Sequence, residues 1–195
     1  MPETIADYVP QVARDEESAR AAGAARRAWG LTLAAAAGLL GLIVAAPLLR
    51  AGGAAAAADA VYRGFGLVCH QIGERSFHAA GFPLAVCARC FGLYAGALAG
   101  VAAYPLARPL ARRDLPARAW LLAAAAPTTL DFALGYFGVW ENTHWSRFLT
   151  ASLLGGVVAF YIVPGLVDLG LAPLRQFFRP GPQRGGSEGR GARPF

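Results

Sequence analysis

Two short motifs hold every cysteine of this chain: Cys69-His70, and seventeen residues later Cys87-Ala88-Arg89-Cys90. Three soft sulfur ligands and one imidazole are enough for a tetrahedral site, with zinc or another transition metal as the cofactor. His78 is an alternative fourth ligand. A CxxC pair near the start of a helix also fits a redox dithiol, Cys87 and Cys90, since the helix terminus and Arg89 both favour thiolate. The thiols can equally be small apolar residues inside a membrane protein. Spacing alone leaves these readings open.

The segments that must position these residues are apolar. The chain has 195 residues, 56% hydrophobic and 15% charged, against about 25% charged in a soluble domain. Ala28–Leu49, Phe91–Ala107 and Phe148–Val167 carry no charged side chain, and Ala119–Trp140 carries only Asp131. About 20 apolar residues at about 1.5 Å each span a hydrocarbon core. The reading is therefore an all-α, four-helix transmembrane bundle with helices over 28–49, 83–106, 118–139 and 146–170. Helix two is expected to start near Pro83, a residue suited to a first turn. Pro173 is expected to end helix four, and Pro127 to kink helix three. Residues 1–27 form an N-terminal tail, frayed or disordered. Residues 50–82 form a loop in which Ala54–Tyr62 favours helix, with Gly64 and Gly66 expected to break it. Residues 172–195 form a disordered Arg/Gly/Pro-rich tail.

All eighteen basic residues are arginine. Thirteen lie in the two tails and the second loop, and three in the first loop (Arg50, Arg63, Arg75). The positive-inside rule then puts both termini in the cytoplasm of a cell (inner or plasma) membrane, and the Cys-His loop outside. A net charge of +6 belongs with lipid headgroups rather than nucleic acid, because the arginines flank the spans. The partner implied is the lipid bilayer. Homo-oligomer formation stays open, and protein partners are not readable. A cleaved signal peptide is disfavoured by an n-region of 27 residues holding five acids.

On helix two, Cys87, Cys90 and Tyr94 share one face at 100° per residue. Arg89, Gly92, Gly96 and Gly100 share the other. The glycine row is a small-xxx-small packing surface, which leaves the cysteine face to loop one. There, Gln71, Arg75 and Ser76 would orient the ligands through hydrogen bonds. Asp131 is expected to pair with Arg89 or Arg147, as a clamp or as the lining of an ion path. A small ion or solute transporter is a third reading, although paired discontinuous helices are missing. No Gly-rich phosphate loop follows a strand. Phe91 after Cys90 rules out CxxCH haem attachment. No other catalytic residue is identified, and the balance leans away from an enzyme.

Two resemblances bear on this. A four-helix architecture with a CxxC near the outer end of helix two and an arginine nearby resembles the quinone-linked disulfide-generating membrane oxidoreductases. Those use a second cysteine pair, whereas this chain has one further cysteine. The stretch Cys69-His70-Gln71, Arg75-Ser76-Phe77, Gly81 and Cys87-Ala88-Arg89-Cys90, with Gly92, Tyr94 and Gly96, resembles the prokaryotic membrane proteins grouped as domain of unknown function 2085. Pro127, Asp131, Asn142, Arg147, Thr150 and Gly155 resemble that family's later helices. Gly73 and Ala151 depart from its pattern. The resemblance covers about residues 60–165 and implies a multi-pass membrane protein without implying an activity.

Overall fold

The computed structural model describes residues 11–110, 112 and 114–177. Of the tail expected to be disordered, residues 178–195 lie outside them, while 172–177 are helical. The described chain is all-α apart from one small hairpin. Its elements are α1 (Gln11–Ala51), α2 (Ala55–Gly66), β1 (His78–Ala79), β2 (Phe82–Pro83), α3 (Ala88–Ala107), α4 (Arg118–Tyr136) and α5 (His144–Phe177). Three helical stretches are long and apolar enough to cross a membrane: Ser18–Ala51, Ala88–Ala107 and His144–Leu169. α4 has 19 residues, about 28 Å of helix, but is not among the three.

Several boundaries differ from the sequence expectation, each for a physical reason. α1 begins at Gln11 rather than near residue 28. Its first turns are rich in alanine, the strongest helix former, and Arg20 pairs with Glu16 one turn away at 3.0 Å. α2 continues through Gly64 to Gly66, with Ala58 and Phe65 buried on its inner side. Packing there outweighs the cost of glycine, about 1 kcal/mol per residue. α3 starts at Ala88 and not near Pro83, because Pro83 ends the hairpin strand β2. α5 runs through Pro173 to Phe177. A proline removes one N–H and one helical hydrogen bond, and here the backbone continues past it.

The hairpin turns on Ala80 and Gly81, at φ +50° and +84°. Two consecutive residues in the left-handed region make the tight reversal that matches strand twist. α5 packs against α3, α4 and α1, while α1 also holds α2 and the hairpin. Two apolar clusters result. Near one end, Ile43, Ala46, Phe65, Cys69, Leu84, Ala85 and Val86 are buried together. Near the other, Ala25, Val101, Tyr104, Ala159, Val163 and Val167 are, and Trp29 Nε1 donates to Val101 O at 2.8 Å. Large apolar side chains elsewhere face outward, among them Leu122, Leu149 and Leu169. An apolar exterior of this kind suits lipid rather than water.

The α3–α5 contact is backbone on backbone. A Cβ added at Gly92, Gly96 or Gly100 would collide with the carbonyl oxygen of Phe148, Ser152 or Gly156. In return, Gly155 of α5 meets Leu93 O. No side chain larger than hydrogen fits these positions, which is how small residues let helices approach in a bilayer. Gly96→Val should therefore destabilise the bundle by at least about 1–3 kcal/mol. Ala99→Val, at an exposed position of the same helix, should leave stability almost unchanged. Thermal melting in detergent checks both.

Candidate metal centre

Cys87 and Cys90 reach their positions because α3 starts late. Leu84, Ala85 and Val86 run into the helix as a buried irregular segment, and Cys87 caps the helix with an extended backbone (φ −66°, ψ 161°). Both thiols thus sit at the helix N-terminus, where unpaired amides and the positive end of the dipole favour negative charge. Cys87 is pulled down to about 5, chiefly by its hydrogen bond with the Cys90 thiol.

The buried approach segment depends on Pro47 of α1. Proline cannot donate to the carbonyl four residues before it, so Ile43 O is left free inside the helix. The Ala85 N–H donates to that oxygen at 3.4 Å. Ala85 O is taken from the other side by Gln71 Nε2 at 2.8 Å. The same nitrogen donates to Tyr62 O at 2.6 Å, and Tyr62 Oη donates to Pro83 O at 2.5 Å. One amide side chain therefore ties α2, the Cys-His loop and the approach to α3 together.

Gln71 itself is left-handed, at φ +50°, a conformation that costs an ordinary residue about 1–2 kcal/mol. The reversal brings its backbone N–H back to Cys69 Sγ at 3.5 Å. A second N–H, from Cys87, reaches the same sulfur at 3.3 Å. Cys69 is only 7% exposed, and its sulfur meets the N-terminus of α3. The Sγ atoms of Cys69, Cys87 and Cys90 all lie within 4.8 Å of one another. Around a zinc with about 2.3 Å Zn–S bonds, tetrahedral sulfurs are about 3.8 Å apart. Small χ rotations close that difference. The three cysteines are free thiols.

The other candidates divide. His70 is exposed and does not belong to the thiol group. His78 is also exposed and sets its Nδ1 3.1 Å from Ser76 O. Ser76 is buried and donates to Ile72 O at 2.9 Å, closing the loop turn. Arg75 is exposed and has no ion pair among the described residues. Tyr94 lies on the thiol side of α3 and packs edge-on against Phe65, 6.0 Å between centroids. Asp131 pairs with Arg89, Oδ2 to Nη2 at 2.6 Å, while Arg147 makes no ion pair among the described residues. The Asp131 side chain is 8% exposed and that of Arg89 27%, so the carboxylate is the more desolvated partner. Asn142 donates to Asp131 O, holding the end of α4 against the turn before α5.

Pro47 is the residue that sequence reasoning missed. Its signal was present: a proline inside an apolar span frees the carbonyl at position 43, and a freed carbonyl in a membrane needs a donor. Two variants test the arrangement. Pro47→Ala lets α1 close on Ile43 O and strands the Ala85 amide, while Gln71→Ala strands the Ala85 carbonyl. Stranding a buried polar group costs about 1–3 kcal/mol. Hydrogen exchange at residues 84–87 should therefore quicken roughly tenfold or more in each variant. Unchanged protection in both would contradict the arrangement.

Comparison with known proteins gives the chain a family. A family model described as "Predicted membrane protein (DUF2085)" matches residues 69–161, from the first cysteine into α5. An uncharacterized protein of Methanocaldococcus jannaschii is 38% identical over 104 residues, which is 53% of this chain and 67% of the relative. No solved structure matches the chain. The thiol group, Gln71, the glycine row, Arg89 and Asp131 all fall inside the matched region, and the chain belongs to the DUF2085 family of predicted membrane proteins.

Proposed function

We propose that this protein holds a transition metal ion, zinc before others, through Cys69, Cys87 and Cys90, for structure or for metal handling. The convergence of three sulfur atoms from two separate parts of the chain carries the reading. Two amide N–H groups already donate to Cys69 Sγ, and such donors orient a ligating sulfur. A fourth position goes to His70 or to a small oxygen donor, and His70→Ala tells them apart. In this reading α4 is a fourth span, both termini are cytoplasmic, and the thiols face outward in the cell membrane.

A thiol–disulfide, quinone-linked role for Cys87 and Cys90 has one observation in its favour, the lowered Cys87 thiol. Against it, a dithiol relay has no use for a third sulfur held in the same group. The transporter reading gains less, because the Asp131–Arg89 pair also serves as a clamp between α3 and α4.

Elemental analysis of detergent-purified protein, with thiol titration on the same sample, decides between them. The metal reading expects about one equivalent of zinc per chain, lost in Cys69→Ser, Cys87→Ser and Cys90→Ser alike. Absence of metal, with two of the three thiols oxidised and recovered by reductant, would contradict it and support the redox role.

A further inference from the structure

Beside the α3–α5 contact runs an open groove of about 560 Å³. Ala95, Ala99 and Ala103 of α3 form one wall, and Phe148, Val157 and Phe160 of α5 the other. Among the described residues, no charged side chain and no residue of α4 lines it. α4 packs along α5, and its polar link to α3 is the Arg89–Asp131 pair, so the groove stays open to the side. From Phe148 to Phe160 it follows about 18 Å of helix. Half of a hydrocarbon core is about 15 Å deep, so the groove matches an acyl chain of one leaflet in length.

Val157 and Phe160 also line a second cavity, of about 390 Å³, at the loop between α3 and α4. Its other walls are Pro116, Ala117, Trp120 and Arg108, the last being the one charged group there among the described residues. The Arg108 side chain is only 14% exposed. Its Nη1 donates to Asp114 O at 2.9 Å and its Nη2 to Asp114 Oδ2 at 2.8 Å, which uses two of the five guanidinium N–H groups. Arg112 Nε donates to the other carboxylate oxygen, Oδ1, at 2.7 Å. Two arginines on one carboxylate leave a positive charge in excess at this end. Pro116 and Ala117 lead into α4, whose N-terminus no side chain caps, and the positive end of that helix adds to the field. Trp120, in the first turn of α4, is a side chain that favours the membrane–water interface.

We propose that groove and cavity together hold one anionic phospholipid, with an acyl chain along α3 and α5 and the phosphate at Arg108. Charge complementarity selects this occupant over a second copy of the chain. A second copy would lay a charge-free run such as Ala28–Leu49 in the groove, and such a run offers the guanidinium nothing. An anionic lipid carries the apolar and the negative part in one molecule, and arginine donors match phosphate oxygens. None of these residues belongs to the thiol group, so the inference stands apart from the metal reading.

The test uses the full chain in nanodiscs of phosphatidylglycerol and phosphatidylcholine in equal parts, with the same acyl chains, released for native mass spectrometry. One phosphatidylglycerol per chain should be retained, about fivefold or more over phosphatidylcholine. Arg108→Gln should abolish that preference. Asp114→Asn, at an exposed position, should raise it by freeing the Arg108 donors, and it carries the test if Arg108→Gln does not fold. Ala99→Phe fills the groove from another exposed position and should lower retention of both lipids without lowering the melting temperature. Equal retention of the two lipids by the unaltered protein, or a preference left unchanged by either Arg108→Gln or Asp114→Asn, overturns the proposal. Release as a lipid-free dimer overturns it too, and assigns the groove to a second copy.

Discussion

The peptide group at Ala85 is fully buried yet belongs to no helix or strand. Irregular backbone away from water survives only if both its polar groups find partners. Here they come from two other elements. The N–H is met by the Ile43 carbonyl that Pro47 leaves free, and the oxygen by the amide of Gln71. The thiol end of the molecule is built on this pair. It holds residues 84–87 beside α1 and starts α3 at Ala88, so that the Cys87 N–H points at Cys69 Sγ. A helix starting near Pro83 would put Cys87 within its second turn, with its N–H committed to the helix.

The second constraint is the glycine contact between α3 and α5. It sets the rotation of α3 about its own axis. With glycines turned to α5, Cys87, Cys90, Phe91 and Tyr94 turn to the cluster of α1, α2 and the loop, and Arg89 reaches Asp131 on α4. One helix therefore carries a thiol face, a packing face and a charged contact. The aromatic group of Phe77, Phe91, Trp145 and Phe148 closes the same end. Functional side chains are thereby set at the junction of several rigid elements, which positions them better than a loop alone.

Much of this was legible from residue type and spacing. Charge-free runs revealed the apolar helices, and 100° geometry separated the glycine face of α3 from its cysteine face. The cost of burying Asp131 pointed to an arginine partner, and the structure pairs it with Arg89. What escaped was non-local backbone pairing. Nothing in the local pattern says that Leu84–Val86 are irregular rather than helical, because Pro83 is as suitable before a helix as in a hairpin strand. The partners that decide it, Ile43 and Gln71, lie 42 and 14 residues away. Proline also misled in the other direction, since α5 continues through Pro173.

A metal centre here requires sulfurs from the loop and from the α3 terminus to share one ion. X-ray absorption at the zinc edge of metal-loaded protein counts those sulfurs. Three sulfur scatterers at about 2.3 Å and one nitrogen or oxygen near 2.0 Å are predicted. A shell of nitrogen and oxygen alone, or only two sulfurs, would show that Cys69 does not join Cys87 and Cys90 at the metal, and would contradict a three-sulfur centre.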